Sequence, residues 1–128
     1  MPGPARAGVF VYAKDLQNVA GFYQALLGMS RLRESGELVI LDSADLQLTV
    51  HVIPPAIAAS ITISKPPARR ESAAYKFFFT VADLAEATRT AASLGGEVLP
   101  EEWHGPGFRV RNAVDPEGNI FQVREKSA

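Results

Sequence analysis

The chain repeats itself. Tyr12-Ala13-Lys14-Asp15-Leu16 lines up with Thr80-Val81-Ala82-Asp83-Leu84. In both places an apolar strand-like run leads into an aspartate, a stretch with helical spacing follows, and glycine closes it. Three further strand-like runs come after each glycine. Such a repeat constrains the fold more than any single motif, because a repeated unit has one apolar face that it cannot bury alone.

In the first unit, residues 8–13 alternate as a strand does. Asp15 follows, with a carboxylate that can accept the orphan N–H groups at a helix start. Leu16, Val19, Phe22, Tyr23, Leu26 and Leu27 then recur at helical spacing, and Gly28 supplies the left-handed stop. Strands are predicted over 30–34, 37–42 and 45–52, with a turn at Gly36. In the second unit, 75–81 predicts a strand, Asp83 caps a helix over 84–94 with Glu86 as a capping-box partner, and Gly95-Gly96 ends it. Strands follow over 97–100, 108–114 and 119–125. The loop Glu101–Gly107 between the first two carries the acids Glu101 and Glu102, Trp103 and His104. Residues 53–72, with two Pro-Pro pairs around an Ala/Ser-rich stretch, predict a linker with a short extended piece over 60–64. The expectation is one α+β domain over 1–128. It is built from tandem βαβββ modules (8–52 and 73–125) that form a curved mixed-sheet cup, with the helices on the outer face.

Composition removes several classes of function. A net charge of -1 offers no basic field for nucleic acid or acidic lipid. There is no cysteine, so disulfides and thiolate chemistry are excluded. No apolar run approaches the ~20 residues of a membrane helix, and the first residues lack a signal-peptide pattern, so a cytoplasmic location is expected. No nucleotide-cradling loop and no Gly-x-Ser-x-Gly element is present.

Three local motifs sharpen the repeat. They are Asp15-Leu16 followed by Gly21-Phe22-Tyr23-Gln24-Ala25-Leu26-Leu27-Gly28-Met29; Leu94-Gly95-Gly96-Glu97-Val98; and Asp115-Pro116-Glu117-Gly118-Asn119-Ile120-Phe121-Gln122-Val123. Together they resemble the vicinal oxygen chelate superfamily, which includes glyoxalase I, bleomycin-resistance proteins and extradiol dioxygenases. The resemblance spans residues 8 to 125. It implies a divalent metal at the bottom of the cup, held by a residue from the first and the last strand of each module. The matching positions here are Gly8, Gln47, Lys76 and Gln122. Glycine has no ligating atom, an ammonium repels a cation, and two carboxamides leave the divalent charge uncancelled. No metal or other cofactor is therefore expected.

Alternation along the strands assigns the lining of the cup. It gives Phe10 and Tyr12 beside Gly8, Thr49 and His51 beside Gln47, Phe78 and Thr80 beside Lys76, and Ile120 and Arg124 beside Gln122, with Trp103 at the mouth. The ligand-binding set is Phe10, Tyr12, Gln47, Thr49, His51, Lys76, Phe78, Trp103 and Gln122. This mixture suits a small molecule with a flat apolar part and an anionic or carbonyl part. The leading reading is a metal-free, homodimeric binding protein for an aromatic or antibiotic-like compound. Two enzymatic alternatives stand beside it. One is a lyase or dioxygenase with a divalent metal shifted to His51 and Gln122. The other is a metal-free enzyme using Lys76 or His51 as acid–base catalyst.

Overall fold

The structure, a computed structural model, describes residues 4–127. Strand β1 (Gly8–Ala13) leads into helix α1 (Leu16–Leu27), and β2 (Ser30–Glu34), β3 (Leu38–Asp42) and β4 (Gln47–Val52) complete the first module. The Asp15 carboxylate accepts from the Asn18 N–H, and Gly28 closes the helix at φ 63°. A one-turn helix α2 (Pro55–Ala58) lies in the connecting segment. The second module comprises β5 (Phe78–Thr80), α3 (Leu84–Ser93), β6 (Glu97–Gly105), β7 (Phe108–Val114) and β8 (Ile120–Lys126). The Asp83 carboxylate accepts from the Ala85 and Glu86 N–H groups.

Each module is a four-stranded mixed sheet, ordered β1-β4-β3-β2 and β5-β8-β7-β6. In both, the first strand pairs parallel with the last, and the remaining pairs are antiparallel. One core serves both modules. Val19, Phe22 and Tyr23 of α1 and Val39, Leu41, Leu48 and Val50 of the first sheet join Leu84 and Ala87 of α3 and Phe121 and Val123 of the second. Tyr23 and Phe22 pack their rings on Phe121, and Phe77 stacks on Phe121. This burial drives the assembly, because each fully covered large apolar side chain contributes about 1.5–3 kcal/mol.

The loop Asp115–Asn119 links the modules. The Asp115 carboxylate, fully buried, accepts from the Tyr23 hydroxyl at 2.7 Å and from the Glu117 and Asn119 N–H groups and the Asn119 side chain. Glu117 is 3% exposed. Its two oxygens accept the Lys14 and Asp15 N–H groups, both at 2.7 Å, immediately before α1. Gly118 (φ 90°) lies against the connecting segment, where a Cβ would overlap the Ala68 carbonyl. Its own carbonyl accepts the Arg70 N–H.

Three sequence expectations change. The strand after α3 does not stop at residue 100. As β6 it runs on to Gly105, so Trp103 and His104 lie in a strand, not a loop. Pro100 hides this continuity, and the pairing with β7 is irregular between Val98 and Glu102. An edge strand tolerates both features. No strand forms over residues 60–64. The Ser60 and Ile61 N–H groups return to the Ile57 and Ala58 carbonyls, continuing the turn of α2. Glu102 is no free loop acid: it accepts from Arg111 Nε at 3.1 Å and lies within 4 Å of Arg109 and His104.

Candidate functional site

Strand alternation and the helices divide each sheet into two faces. In β1, Val9, Val11 and Ala13 turn to the core, while Phe10 and Tyr12 remain 55% and 56% exposed. On that helix-free face the pairing sets Gly8 opposite Gln47, Phe10 opposite Thr49 and Tyr12 opposite His51. The rings of Phe10, Tyr12 and His51 form one cluster, with centroids 5.4–6.0 Å apart. His51 Nδ1 lies 2.8 Å from the Val52 carbonyl.

In the second sheet the corresponding face carries Phe78 opposite Gln122 and Thr80 opposite Arg124. Arg124 is also opposite Val110, which in turn is opposite Trp103. Phe10 and Phe78 each stand five residues before their capping aspartate, so the modules can be superposed by register. Thr49 is then the counterpart of Gln122, and Gln47 that of Ile120.

The two sheets meet along a groove of about 580 Å³, which falls within the range of small-molecule sites. Gly8, Phe10 and Tyr12 line one side, and Lys76, Phe77 and Ile120 the other. Three of the residues singled out by sequence, Phe10, Tyr12 and Lys76, therefore share one groove. Gln47, Thr49, His51, Phe78, Gln122 and Trp103 lie outside its lining, on the helix-free faces that flank it. Lys76 is exposed, and its ammonium donates to Asn112 Oδ1 at 3.2 Å.

The positions implied for a metal do not fit one. Gly8 contributes no side chain, Lys76 brings a cation, and by register Thr49, not Gln47, stands with Gln122. Among the described residues, no three His, Asp or Glu side chains converge as a divalent ion requires. The shifted pair His51 and Gln122 gains no carboxylate.

Sequence reasoning placed Arg124 on the lining but left it out of the binding set. Its guanidinium carbon lies 3.6 Å from the Phe78 ring centroid and 4.2 Å from that of Phe108. The signal was available: Phe78 stands on the neighbouring strand, and Phe108 on the strand at the other side of β8.

A family model described as a glyoxalase-like domain matches residues 8–124. No curated protein matches the chain by sequence. Among solved structures, the chain is similar to a glyoxalase/bleomycin resistance protein/dioxygenase family enzyme from Burkholderia phytofirmans PsJN. That match has TM-score 0.69 and 16% identity, and covers 97% of this chain and 100% of that one. It is also similar to a glyoxalase/bleomycin resistance protein from Albidiferax ferrireducens T118, with TM-score 0.66, 16% identity and coverage of 94% and 98%. A bleomycin-binding protein in complex with bleomycin matches at TM-score 0.60 and 20% identity, over 98% of this chain and 100% of that one.

Proposed function

The chain belongs to the glyoxalase-like domain family, and from that membership we propose a metal-free protein that binds a small aromatic or antibiotic-like molecule between its two sheets. One observation carries the reading: Phe10 and Tyr12, each more than half exposed, stand on a groove of ligand size between the modules. Large aromatic side chains left in water gain most when a flat apolar partner covers them, at roughly 25 cal/mol per Å². The structural likeness to a bleomycin-binding protein is consistent with this use of the fold. Fold likeness alone would serve an enzyme equally well. What favours binding over metal-assisted catalysis is the donor set, with Gly8 and Lys76 where acids or imidazoles are needed.

The experiment pairs two measurements on the purified protein. Elemental analysis is expected to find no zinc, nickel, manganese or iron near one equivalent per chain. Titration with planar aromatic compounds, followed by calorimetry, is expected to show saturable binding that Phe10→Ala and Tyr12→Ala weaken. A stoichiometric metal whose removal abolishes activity would refute the metal-free reading. The proposal includes a homodimer, since each four-stranded sheet leaves an edge strand, β2 or β6, that a second copy would cover. A monomer by light scattering at micromolar concentration would refute that part.

A further inference from the structure

We infer that Arg124 is a carboxylate anchor, so that the ligand is an aromatic or otherwise planar organic acid held by its anionic end on the second sheet. This deepens the binding reading and rests on it. The guanidinium is clamped between Phe78 and Phe108, at 3.6 and 4.2 Å from their ring centroids. Two aromatic rings therefore pack on it, and its N–H groups point outward along the guanidinium plane. Nε is buried and has no hydrogen-bond partner. Among the described residues, none accepts from a side-chain nitrogen of Arg124 and none brings a carboxylate within ion-pair reach of it. The cations of β7 are engaged, Arg109 by Glu125 and Arg111 by Glu102, and Lys76 donates to Asn112.

A buried donor without an acceptor is costly unless something fills the position. A clamped guanidinium has already lost its rotamer freedom, so an incoming carboxylate meets a preorganised fork. The position suits the groove. Ile120 lines it, and Gln122 and Arg124 continue along the same face of β8. That sets the anchor about 13 Å along the strand from Ile120, at ~3.3 Å per residue. An acid bound at Arg124 can thus lay its apolar body back over Phe78 toward the groove.

The test uses 2-naphthoate and its neutral isostere 2-naphthamide, with calorimetry on the full chain. Wild type is expected to bind naphthoate about ten- to a hundredfold more tightly than naphthamide, the range of one charge-assisted contact. Arg124→Met should erase that preference while leaving naphthamide affinity within a few-fold. Arg124→Lys, which keeps the charge but not the planar fork, should retain only a small part of it. Arg89→Met, which removes an exposed cation of α3 far from the site, should leave the preference intact. A carboxylate preference that survives in Arg124→Met, or vanishes in Arg89→Met, overturns the anchor. Equal binding of both probes to wild type also overturns it while sparing the groove, whereas failure of both probes to bind removes the groove reading as well. A measurement on wild type guards against a variant that does not fold. The Arg124 Nε–H resonance, assigned in wild type by through-bond correlation along its side chain, should shift with naphthoate and stay still with naphthamide. Any other pattern refutes the assignment.

Discussion

Replacing Glu117 by glutamine should cost the fold about 2.5–4 kcal/mol. The wild-type carboxylate accepts the Lys14 and Asp15 N–H groups at 2.7 Å each, and it is 3% exposed. Both donors immediately precede α1, where the helix dipole also favours a negative charge. Glutamine keeps one oxygen for one of them and sets an NH₂ group against the other. One charge-assisted bond, about 1.5–3 kcal/mol, is lost, and a poorly hydrated N–H is left facing a donor, which adds roughly 1 kcal/mol. Against a total stability of about 5–15 kcal/mol for a domain of this kind, that is a large fraction. Urea unfolding of wild type and variant reads the difference as a fall in midpoint at unchanged slope. The comparison is Glu34→Gln, which removes only the surface pair with Arg31 and should cost less than about 0.5 kcal/mol. A Glu117→Gln loss no larger than that of Glu34→Gln would refute the idea that this acid fastens the two modules.

Glu125 has its pKa lowered by the Leu84 N–H and by Arg109. Its contribution is therefore present above the ordinary carboxylate pKa and is lost as pH falls through the depressed folded value. The melting temperatures of wild type and Glu125→Gln should differ near neutrality and converge in acid, and a constant difference would contradict this. Tyr23 has its pKa raised well above 10.0 by burial, with Asp115 adding to the effect. It should keep its proton up to alkaline unfolding, so Tyr23→Phe should remove a phenolate signal that in wild type develops only with unfolding. Gly118→Ala places a Cβ at φ 90° against the Ala68 carbonyl, and should destabilise by more than about 1 kcal/mol. A neutral result by thermal melting would show that the connecting segment yields easily.

The modular architecture was legible because it is written in local signals. Asp15 and Asp83 cap where they were expected to, and the α1 stripe from Leu16 to Leu27 is the buried face of the helix. What escaped was non-local. Pro100 and the run Glu101-Glu102 resemble a loop, and only pairing to β7 makes them strand. Arg124 belonged to the lining by alternation, yet its sandwich depends on Phe78 and Phe108 arriving from two different strands. Glu117 looked like a turn residue in Asp115–Asn119, because its partners lie more than a hundred residues away in sequence.

That distant fastening has a kinetic consequence for assembly. The connecting segment is tied to the same turn: the Arg70 N–H and Nε donate to the Gly118 and Glu117 carbonyls, and the Lys14 ammonium donates to the Ile61 carbonyl. If two copies traded modules, every one of these ties would have to open together and re-form between chains. Exchange would then proceed only as fast as the domain opens. A dimer made from folded chains would keep each chain's modules together, and mixing two differently labelled preparations under native conditions would scramble modules far more slowly than subunits.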